Sequence, residues 1–232
     1  MLLMPEETND NIFIIIPVYN EQLSLLSKIV DTLLTRYKVI LVDDASLERI
    51  ILPKRDNLFL LRHPVNLGQG AALQTGISYA LRKGAEYIIM FDGDGQHSAT
   101  DIPALLMPLL KNEADISLAS RFLKQSKHNA SFVRLSLLHI ARIVNYIFTG
   151  LYLSDAHNGF RAITKKAAAK LRLKENRMAH ATEILFEIKK HRWRYTEVPV
   201  NIIYTDYSKR KGQSLFNSVR IFFDLVLHKL FE

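Results

Sequence analysis

The sequence contains no cysteine, which excludes a thiol nucleophile, a disulfide framework and thiolate metal sites. Its first ten positions contain no basic residue and three acidic ones, and this pattern predicts that no targeting peptide is present. The charge-free stretch between Arg142 and Asp155 has 12 residues, fewer than the ~20 needed to cross a bilayer. We therefore expect a cytoplasmic protein that can at most bind the inner face of a membrane.

Apolar and charged residues are present in the proportions of an ordinary globular protein, at 48% and 23%. With 232 residues the chain has the size of one large α/β domain, and no repeat or linker divides it. We therefore predict a single domain over residues 1–232.

The net charge of +8 is unevenly distributed. Residues 1–120 carry 10 basic and 15 acidic side chains, whereas residues 121–180 carry 12 and 2. Carboxylates in the first part suit a metal site. The basic second part suits an anionic partner, which could be a phosphorylated substrate, an anionic membrane surface or nucleic acid.

Short apolar runs alternate with helical stretches over the first 120 residues. This alternation predicts a Rossmann-like, mostly parallel sheet with helices on both faces. The predicted strands are 12–16, 39–42, 58–61, 87–91 and 115–119, and the predicted helices are 21–35, 69–83 and 101–111.

The second half of the chain is less regular. We predict helices at 132–152, 182–191 and 214–231, a strand at 195–204 and a basic loop at 205–213. The helices 132–152 and 214–231 combine apolar faces with basic side chains. Such faces are typical of core helices, of helices that lie on an anionic membrane and of homodimer interfaces.

Polar clusters follow three of the predicted strands, and ligands of such sheets bind at the carboxyl ends of strands. A lone polar residue there is usually a turn former, and we interpret Ser46 in this way. Asp92 and Asp94 are different, because two carboxylates separated by a glycine can both face one hard cation, to which Gln96 adds a neutral oxygen.

The glycine-containing segment 66–72 does not match a dinucleotide-binding loop, because it lacks the third glycine and follows the third strand. Its small residues allow either a helix N-terminus that faces an anion or simple close packing.

Six segments in order, PVYNE, VDDAS, NLGQGAA, DGDGQH, SRF and NGFRA, resemble the family-2 glycosyltransferases. Within that family they are similar to the dolichyl- and polyprenyl-phosphate sugar synthases, over residues 12 to about 215. The resemblance implies a GT-A fold with a short antiparallel extension in the second half. It also implies a nucleotide-sugar half over about 1–120 and an acceptor half over about 121–232.

The resemblance also implies which residues bind the donor, a UDP- or GDP-linked sugar. Mg²⁺ or Mn²⁺ on the donor's diphosphate is assigned to Asp92, Asp94 and Gln96. The residues assigned to the nucleotide are Pro17, Tyr19, Glu21, Asp43 and Asp44, with Gly68 and Gly70 beside them.

On the acceptor side, Arg121 and Arg134 resemble the pair that binds a lipid phosphate, and Asp155 matches an acidic position near the reacting atoms. Asp94 and these three residues form the implied catalytic set. Residues of the acceptor and of a mobile loop are Arg161, Lys209, Arg210, Lys211 and Ser214. Lys209 stands where the family usually has arginine, so a neighbouring cation could take that role.

Three functions remain open. The first is an inverting, metal-dependent transfer of sugar to a polyprenyl phosphate. The second is transfer to a hydroxyl of a sugar or lipid-linked glycan in cell-surface polysaccharide synthesis, with Asp155 as the base. The third is a non-catalytic binder of anionic surfaces or nucleic acid. The third leaves the strand-end carboxylates without a purpose, and we expect no nucleic acid partner because aromatic residues are not interleaved with the basic ones.

Overall fold

The computed structural model describes residues 11–126, 132–156, 158–174 and 180–204. Seven strands form one sheet. In chain order they are β1 (Ile12–Val18), β2 (Lys38–Asp43), β3 (Leu58–Arg62), β4 (Tyr87–Met90), β5 (Ile116–Ser120), β6 (Arg161–Thr164) and β7 (Tyr195–Pro199). The helices are α1 (Leu23–Leu33), α2 (Gln69–Arg82), α3 (Ile102–Leu110), α4 (Phe132–Thr149), α5 (Lys165–Ala168) and α6 (His180–His191).

The strands lie in the order β3-β2-β1-β4-β6-β5-β7. Neighbouring strands are parallel except where β6 pairs antiparallel with both β4 and β5. The prediction of a mostly parallel sheet with an antiparallel part is confirmed, and the antiparallel strand lies inside the sheet between two parallel ones.

Strand β1 is apolar along its whole length, so both of its faces must be buried. Helices cover the sheet on both sides and bury them. Successive side chains of a strand face opposite sides. Ile12, Ile14 and Ile16 pack into the core that includes residues of α1 and α3. Phe13 and Ile15 pack into the other core, with residues of α2, α5 and α6.

Helix α2 lies very close to β1 at Gly76. A Cβ atom at this position would overlap Ile15 Cγ2. The absence of a side chain on Gly76 therefore allows the helix to sit directly on the central strand.

Most predicted elements are present with small shifts of their ends. The strand predicted over 195–204 ends at Pro199, and the helix predicted over 132–152 ends at Thr149. Strand β6 was not predicted, because four residues give too short a pattern to distinguish it from a loop. The loop predicted at 205–213 and the helix predicted at 214–231 lie outside the described residues.

Helix α4 leaves several large apolar side chains exposed. They are Ile143, Tyr146 and Ile147, joined by Tyr152 after the helix, whose exposed fractions range from 48% to 70%. Tyr146 and Tyr152 meet edge to face, and the Arg142 guanidinium lies 5.8 Å from the ring centroid of Tyr152. In the part of the chain that the structure describes, no helix has the length and apolar character of a membrane span.

Candidate active site

The segments that follow β1, β2 and β4 leave the sheet at the same edge, because these strands are adjacent and parallel. Asn20 joins the first two segments. Its backbone N–H donates to Ser46 Oγ (2.9 Å), and its Oδ1 accepts from the Leu47 N–H (2.8 Å). Ser46, expected to be only a turn former, therefore connects two loops of the site.

Asp43 is buried at the end of β2 and is held by protein donors on both oxygens. Its Oδ1 accepts from the Ser46 N–H (2.8 Å), and its Oδ2 pairs with Arg62 Nη1 (2.6 Å). Arg62 also donates to the Ser46 carbonyl (2.8 Å). Asp43 thus shapes the loop after β2, and its predicted contact with a nucleotide stays a prediction.

Asp44, also buried, anchors the glycine-containing loop before α2. Its carboxylate accepts from the backbone N–H groups of Leu67 (2.9 Å) and Gly68 (2.6 Å). It also contacts His63 Nδ1 (2.7 Å), whose Nε2 lies 2.9 Å from Thr75 Oγ1 in α2. Gly68 has a φ of 94°, a conformation that glycine adopts readily. Asp44 therefore holds this loop against the segment that follows β2.

Asp92 follows β4 and is surrounded by three different segments. Its Oδ1 accepts from Gln69 Nε2 (2.9 Å), at the first residue of α2. Its Oδ2 lies 3.0 Å from His97 Nε2, and the His97 ring packs against Phe160. A Cβ atom at Gly159 would lie only 2.5 Å from Asp92 Oδ2. Gly159 therefore leaves the space that the carboxylate occupies.

The two carboxylates after β4 have opposite pKa shifts. Burial opposes ionisation of Asp92, but the hydrogen bond to His97 and the charges of His97, His180 and Arg161 outweigh it and lower its pKa. Burial raises the pKa of Asp94, and the nearby negative charge of Asp92 raises it further. Ionisation of Asp94 beside the ionised Asp92 is therefore unfavourable, and a bound cation would offset that cost.

Gln96 folds back on Asp94. Its backbone N–H donates to Asp94 Oδ1 (3.0 Å), and its side-chain amide donates to the other oxygen, Oδ2. The described residues contain no group of three or more acidic or histidine side chains able to hold a metal ion. Two carboxylates and one amide are a fitting partial set of hard oxygen ligands, which substrate oxygens and water would complete.

The residues predicted to contact the nucleotide begin at the carboxyl end of β1. Pro17 is within the strand, and Tyr19 after it is 43% exposed. Glu21 lies beside the loop after β4, since its Cγ would be 3.6 Å from a Cβ atom at Gly93. Gly70 is buried in the first turn of α2. The structure thus brings Glu21 and the predicted metal ligands to one place.

Arg121 and Asp155 form a buried ion pair at the end of β5. The Arg121 Nε donates to Asp155 Oδ2 (2.6 Å), which also accepts the Arg121 backbone N–H (3.1 Å). Nη1 of Arg121 donates to the Tyr204 hydroxyl. Burial alone would lower the pKa of Arg121, but Asp155 and Tyr204 outweigh it and raise the pKa. Two residues predicted for the acceptor site are therefore direct partners.

Arg161 is almost fully buried and donates only to backbone carbonyls among its hydrogen bonds in the described structure. Its acceptors are Asn158 (3.0 Å), Ala156 (3.3 Å) and Ala181 (3.3 Å). Burial lowers the pKa of Arg161 to about 10, against the raising effect of Asp92 and Asp155. Arg161 thus ties the loop before β6 to the start of α6, and its contact with an acceptor stays a prediction.

Other predicted acceptor residues cannot be placed in the same detail. Arg134 is on α4, and its side chain lies outside the described part of the structure. The residues predicted for a mobile loop, Lys209, Arg210, Lys211 and Ser214, lie outside the described residues altogether.

Four further residues belong to this site and were not predicted: Gln69, His63, Glu197 and Tyr204. Gln69 binds Asp92, His63 binds Asp44, and Tyr204 binds Arg121. Glu197 accepts from the backbone N–H of Asp155 (3.1 Å). Gln69 was within the quoted glycine segment, but the other three stand in no motif, so no sequence signal singled them out.

The chain is similar to known proteins over most of its length. Residues 13–172 match the Glycosyl transferase family 2 profile. An uncharacterized protein of Methanocaldococcus jannaschii is 32% identical, over 97% of this chain and 95% of that protein. The UDP-N-acetylglucosamine–dolichyl-phosphate N-acetylglucosaminyltransferase of Methanococcus voltae is 28% identical, over 94% and 96% of the two chains.

The fold is also that of solved glycosyltransferases. Glucosyl-3-phosphoglycerate synthase from Mycobacterium tuberculosis, solved with Mn²⁺, UDP and phosphoglyceric acid, superposes with a TM-score of 0.68. The match covers 95% of this chain and 80% of that one at 13% identity, which supports the shared GT-A fold alone. The family profile covers more than half of the chain, which therefore belongs to the family-2 glycosyltransferases, as a relative of the dolichyl-phosphate sugar transferases.

Proposed function

We propose that this glycosyltransferase moves a sugar from a nucleotide diphosphate to a polyprenyl phosphate, with inversion at the anomeric carbon. In this proposal residues 1–232 are one domain, in which about 1–120 bind the donor and about 121–232 bind the acceptor. The observation that carries it is the cluster after β4. There two carboxylates lie so close that the charge of Asp92 raises the pKa of Asp94. The loop before α2, which Asp44 holds in place, lies beside them.

The donor would bind over this cluster, with its base near Tyr19 and Asp43. A divalent cation, Mg²⁺ or Mn²⁺, would be held by Asp92, Asp94 and Gln96 and would neutralise the charge that develops on the departing diphosphate. Gln69 and His97 orient Asp92 from two sides. The donor is UDP- or GDP-linked, and the name of the relative from Methanococcus voltae supports UDP.

The acceptor phosphate would be bound by Arg134, whose guanidinium can bind two phosphate oxygens at once, and by Arg121 through Nη2, because its Nε and Nη1 already donate to Asp155 and Tyr204. A phosphate is ionised at neutral pH and needs no general base. Its oxygen attacks the anomeric carbon while the bond to the diphosphate oxygen breaks on the opposite side, and the nucleoside diphosphate leaves. In this scheme Asp155 holds Arg121 and takes no proton.

The rival scheme, in which Asp155 is the base for a hydroxyl acceptor, has less support. Asp155 is buried, and its Oδ2 already accepts from Arg121 Nε, the Arg121 N–H and the Asn158 amide. Three donors already occupy this oxygen, which leaves little room for an acceptor hydroxyl to donate to it. The name of the relative from Methanococcus voltae also supports a phosphate acceptor.

The two schemes predict opposite results for Arg134→Ala and Asp155→Asn. Removing one charge-assisted phosphate contact costs ~1.5–3 kcal/mol, which is roughly a 10- to 100-fold loss of rate. We expect Arg134→Ala to lose transfer to a polyprenyl phosphate by this factor while nucleotide affinity stays within twofold. Both variants are compared with the wild type using UDP and GDP sugars, by transfer rate and by calorimetry of nucleotide binding.

A normal rate for Arg134→Ala together with no transfer by Asp155→Asn would contradict the phosphate acceptor. Under the rival scheme any residual transfer by Asp155→Asn lacks the acidic limb of the wild-type pH–rate profile, because the base that must be deprotonated is gone. The profile therefore identifies which of the two acceptors the enzyme uses.

We also propose that the protein binds the inner face of the membrane peripherally, where its lipid acceptor would lie. The exposed apolar side chains Ile143, Tyr146, Ile147 and Tyr152 lie beside Arg142, in the part of the sequence that carries most of the positive charge. Apolar and basic groups together are the combination that anionic membranes bind.

A further inference from the structure

Glu197, in β7, binds the segment that carries Asp155. Its two carboxylate oxygens lie 2.9 and 3.0 Å from the Ser154 backbone nitrogen. Its Oε1 also accepts from the Ser154 hydroxyl (2.7 Å) and from the Asp155 N–H (3.1 Å). Within the described residues no salt bridge joins Glu197 to a basic side chain. Its partners are neutral donors of one short segment, so the carboxylate orients that segment.

A series of hydrogen bonds leads from Glu197 to the segment around Arg121. Donor and acceptor can be assigned in each of them, because an ionised carboxylate only accepts. Ser154 Oγ donates to Glu197 and therefore accepts from Ser120 Oγ, 2.6 Å away. Ser120 Oγ in turn accepts from the Phe122 N–H (3.2 Å). The chain of donors thus ends on the two residues that flank Arg121.

Both members of the buried ion pair are consequently held by one side chain. Asp155 is bound to Glu197 through its own N–H, and Arg121 is bound through its neighbours Ser120 and Phe122. The pair itself is short, with Arg121 Nε 2.6 Å from Asp155 Oδ2. A displacement of ~1 Å in such an arrangement can cost ~100-fold in rate.

We infer that Glu197 is a positioning residue that sets the geometry of the Arg121–Asp155 pair for the acceptor. The inference rests on the proposed function, in which this pair lies at the acceptor end of the site. Glu197 does not touch the reacting atoms. In the described structure its hydrogen bonds reach residues 154 and 155 and none of the donor loops. Its loss should therefore weaken the use of the acceptor and leave the nucleotide site unchanged.

The test is Glu197→Gln, which keeps the shape of the side chain but replaces one acceptor oxygen by an N–H donor. In either orientation of the amide this N–H donor faces the Ser154 N–H, which lies near both carboxylate oxygens of Glu197. We expect the KM for a short-chain polyprenyl phosphate to rise at least tenfold, with the Kd of the nucleoside diphosphate and Mn²⁺ within twofold of the wild type. Calorimetry gives the Kd, and initial rates give KM and kcat separately.

Asp115→Asn is the matched control. Asp115 ties β5 to the start of β7 through Arg194 at the opposite edge of the sheet, so it controls for a loss of stability alone. We expect Asp115→Asn to lower the Tm and to leave the KM for the acceptor unchanged. Ser154→Ala is a milder second variant, because it removes the hydroxyl link but keeps both backbone N–H contacts to Glu197. It should raise the KM by a smaller factor than Glu197→Gln.

Unchanged acceptor KM and kcat in both Glu197→Gln and Ser154→Ala would overturn the inference. So would a rise in the nucleotide Kd equal to the rise in the acceptor KM, because the effect would then be general. If the wild type transfers only to a glycan hydroxyl, the proposed function fails. The same comparison with that acceptor then tests Glu197, since the Arg121–Asp155 pair is at the acceptor end in both schemes.

Discussion

Single side chains show how strongly close approach constrains the carboxylate cluster after β4. Asp92 fits between Gln69, His97 and Gly159, and a methyl group at Gly159 would overlap its Oδ2. The group that would have to move is the carboxylate of Asp92, which we assign to metal binding. A side chain at position 159 should therefore disturb cation binding more than the packing of the hydrophobic core.

We predict that Gly159→Ala weakens divalent cation binding at least tenfold, because Asp92 must rotate away from the position held by Gln69 and His97. Calorimetry with Mn²⁺ in the presence of the nucleoside diphosphate measures the affinity. Asp94→Ala serves as the positive control and should abolish both cation binding and transfer while the fold is retained.

Gly76→Ala is the matched variant at a glycine of equally close approach, in contact with Ile15 in the core. We expect it to lower the Tm and to leave Mn²⁺ affinity unchanged, which is the reverse pattern. Equal Mn²⁺ affinity in Gly159→Ala and the wild type would contradict the assignment of Asp92 as a ligand.

At the level of strands and helices, β5 and β7 are joined at their amino-terminal ends by Asp115 and Arg194, which directly precede the two strands. Arg194 Nη2 lies 3.1 Å from Asp115 Oδ1, and the Arg194 N–H donates to Asp115 Oδ2 (2.9 Å). The side-chain hydrogen bond from Arg194 outweighs partial burial and lowers the pKa of Asp115. β7 is an edge strand, so this contact helps to hold it on the sheet.

We predict that Asp115→Asn lowers the free energy of unfolding at pH 7 by about 1 kcal/mol, the upper range for a partly exposed pair. The lowered pKa means that the folded state binds fewer protons than the unfolded state near pH 4. The contribution is therefore complete above the unfolded pKa of about 3.9 and is lost as the pH falls below it. Urea unfolding between pH 3 and pH 7 should show the two proteins converging in acid.

Asp31→Asn is the control for the Asp115 experiment, because Asp31 pairs with Arg55 where both side chains are about half exposed. We expect a change of no more than a few tenths of a kcal/mol at any pH. A difference between Asp115→Asn and the wild type that does not shrink between pH 7 and pH 3 would show that packing and not the ionised pair is responsible.

The molecule as a whole has an unevenly distributed charge, with an acidic first part over residues 1–120 and a basic part over residues 121–180. We predict that it binds anionic vesicles, that binding weakens as salt is raised from 0.05 to 0.5 M, and that neutral vesicles are bound less well. Screening shortens the reach of surface charges to ~10 Å at 0.1 M salt. Flotation with vesicles of defined composition measures the bound fraction.

Ile147→Ser should reduce the vesicle-bound fraction about tenfold, because burying an isoleucine side chain contributes ~1.5–3 kcal/mol. Ile51→Ser is the matched control, since Ile51 is as exposed as Ile147 but lies in the acidic part of the chain. Equal binding of Ile147→Ser and the wild type would remove α4 from the contact. A homodimer that dissociates on Ile147→Ser without any vesicle binding would show that a second copy covers this face.

Sequence pattern alone was sufficient for most of the described strands and helices, though not for β6 and α5, and for the side of the sheet at which the predicted site residues lie. The runs at β1, β2 and β4 are apolar and short, and the parallel arrangement places their carboxyl ends together. For that reason Asp44, Asp92 and Asp94 could be assigned to one site before any distance was known. The order of short motifs was likewise enough to indicate the glycosyltransferase family.

The partners of those residues could not be predicted in the same way. Glu197 and Ser154 are separated by 43 positions, and Arg121 and Tyr204 by 83. They meet because β6 enters the sheet between β4 and β5 and β7 joins its edge. Secondary structure follows from residues a few positions apart, and their periodicity is written in the chain. Which buried carboxylate meets which donor depends on strand order and register, and these are set by the packing of the whole core.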